Sequence, residues 1–260
     1  LLIASVPAAF AGESASPVID RILREKQLVV GTAGNMPPLN MTTKDGQIIG
    51  LEPDLAKMMA DAMGVKLKLK KMPFSELLGA LEAGEIEMVL SGMTMTPERN
   101  LKVAFVGPYM VSGKCFLTKI SDLASTKDPS QMKMTKKDIT LAALKGSTSQ
   151  YFVEKVLPQV KLVTVTDYDE GVSLVMRGKV DAMVADYTLC AVANIRYPHA
   201  GFASAYTKLT YEPLGIALPA NDPLLMNWVD NLMSTLQATH RLEALQHHWF
   251  EDNWWLKELP

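Results

Sequence analysis

Two stretches of this chain follow one pattern, and that repetition constrains the fold more than any other feature. Leu81-Glu82-Ala83-Gly84-Glu85-Ile86-Glu87-Met88-Val89 and Val175-Met176-Arg177-Gly178-Lys179-Val180-Asp181-Ala182-Met183 each read as a helix end, a glycine stop, an acidic residue and an apolar strand. Glycine stops helices because it accepts the left-handed backbone that a C-terminal cap needs. A short apolar run after it reads as a buried strand. Each unit runs into polar groups at the strand's carboxyl end, Gly92 to Thr94 in one and Asp186 in the other. Open α/β sheets bind ligands outside the carboxyl ends of their strands. Two such units facing each other make a cleft lined from both sides, so the chain is expected to form two α/β lobes.

The remaining periodicity agrees. Ser16 to Lys26 reads as an amphipathic helix and Leu28-Val29-Val30 as a buried strand, followed by a turn-rich loop to Asn40 with Pro37-Pro38. Asp45-Gly46 marks a hairpin turn. Pro53 begins a helix that Gly64 caps, and Val65, Leu67 and Leu69 alternate with lysines as a half-exposed strand. A helix over Phe74–Ala83 leads to the strand Ile86–Leu90. The order strand–helix–strand–helix–strand implies a mainly parallel sheet with helical cover. The chain crosses to new material after Pro108-Tyr109. There, Lys114–Thr118, Ile139–Leu144, Leu162–Val165 and Val180–Ala185 read as strands, Gln150–Val156 and Asp169–Arg177 as helices, and 121–138 as a polar surface excursion. Tyr211–Leu218 reads as a crossing back. A helix capped by Asn221-Asp222-Pro223 follows, with Leu225, Trp228, Val229, Leu232, Met233 and Leu236 on one face, and a last helix runs from His240 to Phe250. Trp254 and Trp255 are expected to dock on a lobe.

Ser91-Gly92-Met93-Thr94-Met95-Thr96-Pro97-Glu98-Arg99 reads as a turn opening a short helix. Thr96 suits the N-cap, Pro97 the first helical position and Glu98 the positive end of the dipole. Such a turn offers backbone N–H groups, a threonine hydroxyl and a guanidinium fork, the parts needed to hold a carboxylate.

Leu1 to Phe10 is apolar or small, and Ala9-Phe10-Ala11 fits a small-x-small cleavage site. Residues 1–11 therefore read as the remnant of a secretory signal peptide, removed in an exported, periplasmic protein. Export leaves Cys115 and Cys190 open to one disulfide or to two buried thiols. A net charge of −2 argues against nucleic acid as a partner. The chain holds no HExxH, G-x-S-x-G or phosphate-loop motif, and its four histidines are scattered. No metal, cofactor or catalytic residue is expected.

Seven segments, in order, resemble the family-3 extracellular solute-binding proteins of bacterial ABC transporters, of the polar amino-acid-binding type. They are Leu28-Val29-Val30-Gly31-Thr32, Gly50-Leu51-Glu52-Pro53-Asp54-Leu55, Gly92 through Arg99, Gly107-Pro108-Tyr109, Lys145-Gly146-Ser147-Thr148, Asp181-Ala182 with Asp186, and Glu212-Pro213-Leu214-Gly215-Ile216-Ala217. The resemblance implies a type II periplasmic binding protein fold with two hinge crossings. Residues 12–109 and 212–260 would form the first lobe and 110–211 the second. It also implies that Arg99, Thr94, Gly92 and Thr148 hold a ligand carboxylate and that Asp186 accepts its ammonium. A zwitterion taken out of water needs both charges paired. The implied partners are a small amino acid or carboxylate and a membrane permease, with the binding protein itself a monomer. Members commonly place aromatic residues where this chain has Met36, Leu39 and Leu51, and basic-amino-acid binders often have an acid where Ala33 stands. Phe74 remains as an aromatic wall, so Met36, Leu51 and Phe74 are the expected side-chain pocket. That pocket disfavours lysine, arginine or histidine and favours a less polar or bulkier side chain, or another carboxylate. The same fold resembles cyclohexadienyl dehydratases, an enzymatic alternative for which Glu52 and Glu212 are the candidate general acids.

Overall fold

The structure is a computed structural model that describes residues 16–127, 139–203 and 208–260. The signal-peptide reading of residues 1–11, and most of the excursion over 121–138, lie outside the described residues. The chain begins with α1 (Pro17–Glu25), β1 (Gln27–Thr32), β2 (Asn35–Met36), β3 (Asn40–Thr42), β4 (Ile48–Ile49), α2 (Leu51–Met63), β5 (Lys66–Lys71), α3 (Leu77–Glu82) and β6 (Met88–Val89). It continues through α4 (Pro97–Asn100), β7 (Val103–Ser112), β8 (Lys114–Thr118), α5 (Ser121–Ala124), β9 (Thr140–Leu144), α6 (Thr148–Val156), β10 (Lys161–Val165), α7 (Tyr168–Met176), β11 (Ala182–Asp186) and α8 (Tyr187–Arg196). It closes with β12 (Glu212–Pro219), α9 (Pro223–Ala238) and α10 (Arg241–Phe250).

Two sheets carry the two lobes. The first runs β5-β1-β6-β12-β7 and the second β10-β9-β11-β8. In each, three parallel strands are followed by an antiparallel neighbour: β5, β1 and β6 are parallel with β12 reversed, and β10, β9 and β11 are parallel with β8 reversed. The expected mainly parallel sheets are therefore mixed, because β12 and β8 enter from the crossings rather than from a helix. A small antiparallel sheet, β2-β3-β4, carries the loop after β1.

The repeat extends to individual hydrogen bonds. The acid before β6, Glu87, accepts from the Val29 N–H, and its own N–H donates to the Val29 carbonyl at 2.9 Å. The matching acid before β11, Asp181, accepts from the Thr140 N–H at 2.9 Å and donates its N–H to the Thr140 carbonyl. In both lobes a carboxylate at the start of one strand takes a backbone donor of the parallel strand beside it.

β7 and β12 pair antiparallel from Glu212–Ser112 to Pro219–Val103, with the register shifting between Leu214 and Ile216. This ribbon links the lobes. Neither β7 nor α8 stands out in the sequence: Gly107-Pro108 interrupts the first, and the second starts directly after Asp186 with no glycine or proline to announce it. Asp222 fixes two helices at once, accepting from the Leu225 N–H of α9 and the Val18 N–H of α1, both at 2.9 Å. Leu225, Val229, Met233 and Leu236 form the buried stripe of α9, each worth about 1.5–3 kcal/mol of burial. Trp255 is buried and donates its indole N–H to the Trp249 carbonyl, docking the tail as expected for this residue, whereas Trp254 is exposed. Cys115 on β8 and Cys190 on α8 form a disulfide with a Cα separation of 6.8 Å.

Candidate ligand-binding cleft

The turn after β6 is built around a buried carboxylate. Gly92 has φ +60, and a Cβ there would lie 2.4 Å from Met36 Sδ, so a side chain is excluded by both backbone and space. Beneath it Glu52, in the first turn of α2, is fully buried. Its Oε1 accepts from the Gly92 N–H at 2.6 Å and from the Tyr109 hydroxyl, and its Oε2 from Asn40 Nδ2 at 2.5 Å. Burial raises the Glu52 carboxyl above its ordinary value, against the lowering effect of those three donors. Burial and the neighbouring Glu52 push the Tyr109 hydroxyl well up. The turn is also stitched to β12: the Met95 N–H donates to the Pro213 carbonyl at 2.8 Å and the Gly215 N–H to the Met93 carbonyl at 3.0 Å.

The turn presents Thr94 and Arg99 to the second lobe. Thr96 caps α4, accepting from the Arg99 N–H at 3.2 Å. Arg99 donates through Nη1 to the Thr94 carbonyl at 2.7 Å and through Nη2 to the Gly146 carbonyl, in the second lobe, at 3.1 Å. Its guanidinium stands 5.8 Å from the Phe74 ring centroid, within range of a cation–π contact. Burial lowers the Arg99 pKa, with Glu212 and Asp186 opposing it. The Thr94 and Thr148 hydroxyls lie 3.4 Å apart, and both donate to Glu212 Oε2, at 2.8 and 2.9 Å. Glu212 Oε1 accepts from Thr210 at 2.8 Å. Behind them Lys114 lies buried between two acids, 2.9 Å from Asp186 Oδ1 and 3.5 Å from Glu212 Oε2. Tyr168 donates its hydroxyl to Asp186 Oδ2 at 3.1 Å. Burial alone would raise the Glu212 carboxyl, but Lys114 and the three threonine hydroxyls outweigh it and hold it below its ordinary value.

The structure thus brings Arg99, Thr94, Thr148 and Asp186 to one seam between the lobes. Two of the expected ligand contacts also have partners inside the protein. The Gly92 N–H is given to Glu52, and Asp186, expected to accept a ligand ammonium, takes the Lys114 ammonium on one oxygen and the Tyr168 hydroxyl on the other. Of the expected side-chain pocket, Phe74 lies beside Arg99, Met36 packs against the Gly92 turn, and Leu51 is wholly buried beside Glu52. A groove of about 520 Å³ opens nearby, between Ala33, Met41 and Lys71 on one lobe and Thr166, Asp169 and Arg196 on the other. Arg99, Thr94 and Asp186 are not among its walls. Sequence reasoning missed Lys114, Tyr168 and the position of Glu212 in the cluster. The one available signal was a lysine opening an otherwise apolar strand, Cys115-Phe116-Leu117.

Among the described residues no group of three or more His, Cys, Asp or Glu could hold a metal ion, and no helix is long and apolar enough to cross a membrane. The family model for bacterial extracellular solute-binding proteins, family 3, matches residues 28–252. The chain belongs to this family. Among solved structures, a putative binding component of an ABC transporter from Wolinella succinogenes, complexed with lysine, is 34% identical, with a TM-score of 0.81 over 89% of this chain and 99% of that one. The ancestral amino acid-binding protein AncCDT-1, a precursor of cyclohexadienyl dehydratase, is 33% identical with a TM-score of 0.79, over 89% and 99%. The L-arginine-binding protein of Pseudomonas aeruginosa is 28% identical over 87% of this chain and 88% of its own. In this solute-binding family member, then, the two-lobed α/β architecture and the seam between its lobes are the frame for function.

Proposed function

We propose that the chain is a periplasmic solute-binding protein that closes on an amino acid or related small carboxylate and delivers it to the permease of an ABC transporter. The observation that carries this reading is the contact across the seam: Arg99 reaches the Gly146 carbonyl while the Thr94 and Thr148 hydroxyls converge from opposite lobes. In this reading Arg99 pairs with the ligand carboxylate, and Thr94 and Thr148 turn their hydroxyls to it. Residues 12–109 and 212–260 move as one lobe and 110–211 as the other, about the β7–β12 ribbon. Splitting the partners of one carboxylate between lobes makes closure depend on ligand. Both walls come from a single chain, so one copy is enough to enclose the ligand, in keeping with a monomer.

The test is thermal unfolding of wild type and Arg99→Ala against a panel of amino acids and small carboxylates. A ligand at a hundredfold its Kd stabilises the folded state by about 2.7 kcal/mol. The wild type is expected to show that shift and the variant to lose it; an equal shift in both would remove Arg99 from the site.

The dehydratase reading needs a carboxylic acid that keeps its proton and reaches the ligand. Glu52 has the raised pKa but is spent beneath the Gly92 turn. Glu212 lies in the seam but is held ionised by Lys114 and its threonines. Neither meets both requirements, which favours binding over catalysis.

A further inference from the structure

We propose that Lys114 sets the ligand class by standing where the α-ammonium of an amino acid would have to go, so that the cleft prefers small carboxylates without that ammonium, α-keto and α-hydroxy acids above all. This rests on the carboxylate-binding reading of the seam given above.

The pairing of Lys114 with Asp186 is built into the sheet. The two residues face each other directly in the antiparallel register of β8 and β11. The next residue on β8, Cys115, is bonded covalently to Cys190 on the helix that follows Asp186. The Lys114 backbone is held as well, its N–H donating to Thr210 Oγ1 and its carbonyl accepting from the Leu209 N–H. These bonds fix the Lys114 backbone beside Asp186. Its ammonium is buried there: Lys114 is 1% exposed, and Glu212 is its one other acidic neighbour among the described residues.

A ligand ammonium brought to Asp186 would meet a like charge in a buried site. It would also displace the shorter of the Lys114 cation's two acidic contacts among the described residues, a repulsive arrangement of the kind that proteins use to reject a wrong ligand. An ammonium carries three donors. Asp186 takes one of those of Lys114 at 2.9 Å and Glu212 stands 3.5 Å from the same nitrogen, which leaves a donor for an acceptor on the ligand. Arg99, Thr94, Thr148 and Lys114 together offer donors to a carboxylate with a keto or hydroxyl oxygen on the adjacent carbon.

The experiment compares matched pairs on the full chain by calorimetry and thermal unfolding: pyruvate with alanine, phenylpyruvate with phenylalanine, and α-ketoglutarate with glutamate. The keto acid of the best pair is expected to bind at least about ten-fold more tightly, a difference of about 1.4 kcal/mol. Lys114→Met is expected to narrow or reverse that ratio. Because Lys114→Met leaves two buried acids facing each other, the double variant Lys114→Met/Glu212→Gln supplies the same comparison with the charge balanced. Amino acids bound as tightly as their keto acids by the wild type would overturn the inference and leave the solute-binding reading standing. An unchanged ratio in a folded Lys114 variant would overturn it too. No binding by either member of any pair would count against both.

Discussion

Glu52 and Gly92 stand 40 residues apart in the chain and share a 2.6 Å hydrogen bond in which a buried carboxylate takes the backbone N–H of the turn after β6. The same carboxylate takes Asn40 and Tyr109, so three separate segments converge on one acid. Glu52→Ala leaves three buried donors without an acceptor, each costing about 1–3 kcal/mol. The expected loss is about 3 kcal/mol or more, read by chemical denaturation. A loss below about 1 kcal/mol would mean that water replaces the carboxylate and that the turn does not depend on it.

The same acid gives the stability a pH signature. Burial raises the Glu52 carboxyl above the usual 4.5. The folded chain therefore holds this proton more tightly than the unfolded chain does. The resulting stabilisation is complete below the unfolded pKa and is lost as pH rises through the folded one. The stability difference between wild type and Glu52→Gln should be largest at acid pH and decline as pH climbs above about 4.5. A flat difference, or one that grows with pH, would show that the folded carboxyl is not raised.

Gly92→Ala tests the turn from above. A non-glycine residue at φ +60 carries backbone strain of about 1–3 kcal/mol, and the added Cβ meets Met36 Sδ at 2.4 Å. We expect a loss of about 2 kcal/mol or more. Truncating Met36 to alanine removes the steric part, so the double variant should cost less than the sum of the singles by about 1 kcal/mol. Strict additivity would mean that the penalty is all backbone.

The disulfide closes a loop with a sequence separation of 75. Replacing both cysteines by serine should lower stability by about 3–4 kcal/mol, chiefly by freeing the unfolded chain. The comparison uses oxidised wild type against the double serine variant in denaturant. Equal midpoints would show that the native packing of β8 on α8 alone sets the stability of this lobe.

What could be read from the sequence was local. The repeat is legible because a glycine stop, an acid and an apolar run sit side by side, and it carries through to the matched bonds of Glu87 and Asp181. The Arg99 turn is legible because Thr96 and Pro97 announce a cap within four residues. What stayed hidden depends on partners far along the chain. Lys114 reads as an ordinary strand residue until β11 is laid against β8 and Asp186, 72 residues on, comes opposite. Nothing near Gly92 indicates that Glu52 takes its N–H. The strand after Gly84 is longer by its hydrogen bonds than by its regular ladder, since Glu87 and Leu90 also bond to β1.

Glu212 is the first residue of β12 and also the acceptor for Thr94, Thr148 and Thr210. In the proposed reading, sensor and pivot are therefore one residue. A ligand carboxylate that recruits the two seam threonines must take them from the residue at which the chain turns back into the first lobe. The message would then have no relay to cross: occupancy would be registered as a change of torque on the axle itself. Mutations intended to loosen the hinge will for that reason retune affinity, and mutations intended to retune affinity will stiffen or slacken the hinge.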